Sequence, residues 1–216
     1  MNTLRVGGIE FSASELRDLA VAWVALGIAF GVFIIVATGH SVFLEVLPAL
    51  LSPLFARVFA ASMLTVGIGF LLHELAHKVV AIRFGQIASF RADYRMLALC
   101  VGAAFAGFLF AAPGAVYHRG RITPRQRGLV SVAGPLTNVV LVGAFLPFAF
   151  LPGFPGKVGG LGVLVNAFLA AFNMVPFGPL DGRTVLSWSR PVFAAVFAGS
   201  ALLTVGSVLF VGFPSF

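Results

Sequence analysis

His73-Glu74-Leu75-Ala76-His77 lies in an apolar run that extends from near Val58 to Lys78. Positions i and i+4 share one face of an α-helix, so both imidazoles can reach a single metal ion. Glu74, one residue round from His73, is then placed to act on a water at that metal. An ionisable side chain at membrane depth costs about 3 kcal/mol or more unless it is paired or employed. Three in one stretch require a use, and metal-assisted hydrolysis is one.

Two histidines are an incomplete site, because catalytic zinc takes three protein ligands and keeps one position open. His40, His118, Glu10, Glu15, Asp18, Glu45 and Asp93 fall in expected loops or in the N-terminal segment. Asp181 is the remaining acid that adjoins an apolar span on the side of the histidines, and it is the expected third ligand. A carboxylate beside two imidazoles is a mixture zinc accepts. Taken alone, Asp181 would equally serve as a polar residue ending a span at the interface. The sequence Asn173-Met174-Val175-Pro176-Phe177-Gly178-Pro179-Leu180-Asp181-Gly182 favours the ligand reading, since Pro176 and Pro179 break the helix ladder and free backbone at membrane depth marks ligand sites. Two asparagines carry two readings each. Asn138, in Ser131-Val132-Ala133-Gly134-Pro135-Leu136-Thr137-Asn138, either hydrogen-bonds a neighbouring helix or steadies an oxyanion or orients substrate. Asn173 has the same two readings.

The elements that must position these groups are membrane helices. The chain has 216 residues, of which 60% are hydrophobic and 10% charged, against about 45 to 50% and 25% in soluble domains. An all-α polytopic membrane protein is expected, one domain over residues 1–216 with its core at about 58–185 and no sizeable soluble module. The net charge of +7 comes from arginines in short loops, which orientation in the bilayer explains better than nucleic acid does. Cys100 reads as a small packed hydrophobe, and His40 and His118 as interfacial loop residues.

Five to six spans are expected. Leu19 to Thr38, Arg57 to Ile82, Gly128 to Leu151, Gly160 to Phe177 and Pro191 to Val211 have the required length. Gly39 to Ala56 reads as a loop with a short interfacial helix. Gly85 to Arg95 partly alternates apolar and polar residues, as a short strand near the catalytic helix would. Leu97 to Tyr117 is long enough to cross, but both flanking loops are basic, with Arg83, Arg91 and Arg95 before it and Arg119, Arg121, Arg125 and Arg127 after it. A re-entrant segment keeps both loops in the cytoplasm, and it puts Asp181 on the side of the histidines. A crossing would carry Asp181 about 30 Å away.

The motifs HELAH, AGPLTN and NMVPFGPLDG occur in the order and membrane setting of the site-2 protease family, which the chain resembles over roughly Val66 to Val185. The resemblance implies one Zn2+ held by His73, His77 and Asp181, catalysis by Glu74, and hydrolysis of a peptide bond within a transmembrane segment of a protein substrate near the cytosolic side. It also implies that an extended segment beside the catalytic helix pairs with the unwound substrate, for which Phe108 to Val116 is the candidate. No PDZ or CBS module is visible. A zinc transporter would need further ligands across the bilayer and has no need of Glu74; an inactive helix-binding scaffold has no need of the intact motif. The expected partners are a membrane protein substrate and the lipid bilayer, with no nucleic acid. The expected location is the plasma membrane of a prokaryote, and the oligomeric state stays open.

Overall fold

Leu4, Val6, Ile9 and Phe11 alternate with polar residues around Gly7-Gly8, a pattern that closes a two-residue hairpin because both glycines adopt positive φ (56° and 83°). Strands β1 (Thr3–Val6) and β2 (Ile9–Ser12) pair antiparallel with Val6 opposite Ile9. The Ser12 hydroxyl then accepts from the Glu15 amide at 3.2 Å and starts the first long helix. The computed structural model describes residues 3–37, 48–109, 113–213 and 215–216. His40, Glu45 and half of the expected Gly39 to Ala56 loop lie outside them.

Five helices are long and apolar enough to cross a bilayer: α1 (Ala13–Ala37), α2 (Pro53–Arg83), α4 (Pro124–Ala149), α5 (Gly153–Asn173) and α7 (Arg190–Phe210). They are the helices of a multi-pass integral membrane protein. Two shorter helices complete the set, α3 (Tyr94–Phe105) and α6 (Asp181–Trp188). Several start where sequence chemistry dictates. Ser52 and Pro53 open α2, Thr123 and Gln126 form a capping box at α4, and Ser189 caps α7. The caps at Ser52 and Thr123 explain why α2 and α4 each begin four residues before the apolar runs that announce them.

Leu97 to Tyr117 does not cross. Asp93 caps α3, accepting from the amides of Arg95 and Met96, and α3 ends by Phe105. The chain returns as β4 (Gly114–Arg119), which pairs antiparallel with β3 (Ile87–Ala92) so that Phe90 faces Val116. Strand pairing holds both ends of the segment at one place, so it leaves and re-enters on the same side. Residues 110–112, within the expected substrate edge, lie outside the described residues.

Leu26, Ile34 and Ile35 of α1 pack with Val58, Val66 and Phe70 of α2, Phe90 of β3, Leu97 and Cys100 of α3, and Leu161 of α5 into one buried cluster. Within α2 the turn Met63–Gly67 is π-helical. The wider turn disturbs the carbonyl ladder, and the Met63 carbonyl accepts the Trp23 indole N–H at 3.0 Å. The helix thus enters the site with its break satisfied from α1.

Candidate metal centre

Two elements deliver three ligand atoms. His73 and His77 project from one face of α2 with ring centroids 4.7 Å apart and planes at 83°. Asp181 opens α6, where the positive helix N-terminus favours a carboxylate. One of its oxygens, Oδ2, stands 3.3 Å from His73 Nε2 and 3.3 Å from His77 Nε2. The three ligand atoms lie within 4.8 Å of one another, and among the described residues no other such cluster of His, Cys, Asp or Glu occurs.

The ring nitrogens can be assigned from their partners. The Gly162 carbonyl can only accept, so it takes the Asn166 amide at 2.8 Å, and Asn166 Oδ1 therefore faces Asn138. Asn138 Nδ2 donates to that oxygen at 2.9 Å and to the Gly69 carbonyl at 3.3 Å. Its Oδ1 is left for His73 Nδ1 at 2.6 Å, so Nδ1 carries the proton and Nε2 offers its lone pair. His77 Nδ1 donates to the Val130 carbonyl at 2.7 Å, which fixes the same tautomer. Two imidazole lone pairs and one carboxylate oxygen thus converge with no proton between them, an arrangement that suits a cation.

Space for a cation depends on two glycines. A Cβ on Gly134 would come within 2.5 Å of Nε2 of both histidines, so only glycine lets α4 pass beside the pair. Pro135 follows it and cannot donate to the Ser131 carbonyl, loosening the ladder in the turn where Val130 serves His77. A Cβ on Gly182 would strike the Met174 carbonyl, which couples the end of α5 to the turn that presents Asp181.

Glu74 is buried beside the ligands, with its carboxylate against the Val116 amide of β4. His118 sits on β4 opposite Ala88, outside the ligand group; burial and then Arg127 hold its imidazole below the ordinary value. Asn138 has no exposure, and its amide is spent on His73, Gly69 and Asn166. Asn173 donates to the Leu169 carbonyl, and among the described residues no hydrogen bond joins it to the ligand group. Asn166, fully buried behind Asn138, is the member that the motifs do not contain. An amide in the middle of the apolar run of α5 was its visible signal.

The chain is 41% identical over 164 residues to the "Putative zinc metalloprotease MJ0611" of Methanocaldococcus jannaschii, covering 72% of this chain and 82% of that protein. It is 31% identical over 150 residues to the "Putative zinc metalloprotease YwhC" of Bacillus subtilis, covering 57% of this chain and 66% of the relative. A third, "Putative zinc metalloprotease sll0528" of Synechocystis, is 32% identical over 198 residues, covering 86% of this chain but 43% of its own length. No family model and no solved structure matches the chain. With this relationship across most of a relative's length, and with the three motifs meeting at one ligand cluster, the chain belongs to the site-2 protease family of zinc metalloproteases.

Proposed function

We propose that this protein is an intramembrane zinc endopeptidase that hydrolyses a peptide bond within transmembrane segments of membrane protein substrates, as a single membrane protease domain. The observation that carries the reading is the convergence of His73 Nε2, His77 Nε2 and Asp181 Oδ2 beside a buried Glu74. Zinc at these three atoms supplies Lewis acidity, polarising the scissile carbonyl and lowering the pKa of water.

The chain's own residues do the rest. Glu74 accepts the proton of the attacking water and returns it to the leaving amine nitrogen. Asn138 and the Val130 carbonyl keep both imidazoles in the ligating tautomer. A helical substrate has every backbone group satisfied internally and must unwind before it can be cut. The edge of β4 turned away from β3 faces Glu74 and is available to an extended segment as an added strand. Asn173, near the bend before Asp181, remains a candidate for orienting substrate. The exposed arginines Arg83, Arg91, Arg119, Arg121, Arg125 and Arg183 gather at the motif's end of the bundle, which supports a cytosolic site in a prokaryotic plasma membrane. Transport would need a relay of ligands, and among the described residues there is one cluster.

Purified in detergent, the protein should cut a single-span substrate within its apolar segment and stop on zinc chelation. Glu74→Ala should lower the rate by about 10³-fold or more with zinc still bound. Undiminished cleavage by Glu74→Ala would refute the assignment.

A further inference from the structure

The outer edge of β3 is occupied by side chains. Glu15 Oε1 accepts the Phe90 amide at 2.9 Å, and Asp18 Oδ2 accepts the Ala92 amide at 3.3 Å. Alternate residues of a strand send their amides to the same edge. Residues i and i+3 of a helix rise about 4.5 Å and two strand residues about 6.7 Å, a difference that the reach of a carboxylate absorbs. Asp18 also takes the Tyr94 hydroxyl at 2.6 Å, just past the end of β3.

The same contacts set the polarity of the sheet. Because the Phe90 amide points to Glu15, the Phe90–Val116 pair exchanges no hydrogen bonds, and the Val116 amide and carbonyl point away from β3 toward the catalytic helix. Lys78, next to His77 but on the other side of α2, ties this to the site. Its ammonium donates to both Glu15 oxygens at 2.7 Å and to the Glu10 carbonyl at 2.8 Å, and it lies 3.8 Å from the centre of the Phe11 ring. Lys78 has no exposure and Glu15 2%, so all three ammonium protons are used where water does not reach.

Building on the protease reading, we infer that Glu15 and Asp18 are positioning residues that stand in for a third strand on β3. They close that edge to an incoming peptide and, through Lys78, hold the sheet against α2 so that β4 alone meets substrate beside Glu74. An open strand edge is a template for any extended chain. With both edges open, a substrate could pair on the face remote from Glu74 and escape cleavage.

Two double variants separate the edge closure from the buried charge. Lys78→Met with Glu15→Gln removes both charges but keeps an oxygen acceptor for the Phe90 amide. Lys78→Met with Glu15→Leu removes the acceptor as well. With a single-span substrate in detergent, the first should keep the wild-type KM and cut position. The second should raise KM about tenfold, add minor cut positions, and speed amide exchange at Phe90, with kcat and zinc content unchanged. Asp18→Asn against Asp18→Leu repeats the comparison at Ala92 if a double variant fails to fold. Equal KM and a single cut position in both members of a pair would overturn the inference, as would an equal loss of kcat together with zinc. Failure of the wild-type protein to cut would count against the protease reading instead, and unchanged exchange at Phe90 in the leucine variant would still reject the edge closure.

Discussion

His77 and Lys78 are neighbours on one helix, and the regions they enter are opposites. On the His77 side, two imidazole nitrogens and a carboxylate oxygen turn their lone pairs on one another at 3.3 Å, and every proton nearby is directed away from the gap. On the Lys78 side, an ammonium with three protons meets three oxygens, and nothing is left over. Both clusters are buried and both join distant parts of the chain. The open one is arranged for a ligand that the chain does not itself contain, whereas the closed one is complete. Unfilled valence, more than burial or charge, distinguishes a site from a brace.

The comparison can be broken at adjacent positions. His77→Ala or Asp181→Ala should have the largest effect, taking zinc from one ion per chain to background and abolishing cleavage while the protein stays folded in detergent. Metal analysis of the purified variants beside their circular dichroism checks this. Lys78→Met should do the reverse, retaining zinc but losing about 3 to 5 kcal/mol of stability because Glu15 becomes a buried unpaired charge. Denaturing-detergent titration measures that loss, and adding Glu15→Gln should recover most of it. If Lys78→Met instead loses zinc with unchanged stability, the two sides of the helix are not separate. The smallest effect belongs to Asn166→Leu, which touches no ligand yet leaves Asn138 one partner short. It should weaken zinc binding about 10- to 100-fold, read by competition with a chelating dye.

Much of the open cluster is legible in the linear chain, because its chemistry is local or needs a rare residue. HELAH encodes its geometry in a four-residue spacing. Asp181 stands out because few acids adjoin apolar runs, and the basic loops around Leu97 to Tyr117 anticipate the return of β4 to β3. The closed cluster is not legible in the same way. Lys78 finds Glu15 across 63 residues of chain, and neither residue type nor spacing announces the pair. Asp18 reads as a surface charge of an N-terminal segment until β3 is seen beside it. Two features carried signals in the chain all the same. Gly7-Gly8 between alternating segments marks a hairpin, and Asn166 amid apolar residues marks a buried partner. The starts of α2 and α4 shifted because Ser52 and Thr123 set them by capping rather than by hydropathy.

The central claim is that one zinc ion is held by residues from two separate parts of the chain, the α2 motif and the first turn of α6. X-ray absorption at the zinc edge of the purified protein tests it most directly. Two imidazole nitrogens with carboxylate oxygen and no sulfur are expected, and one nitrogen fewer in His73→Ala where metal is retained under excess zinc. A sulfur scatterer, or an unchanged spectrum in both His73→Ala and Asp181→Ala, would contradict the account.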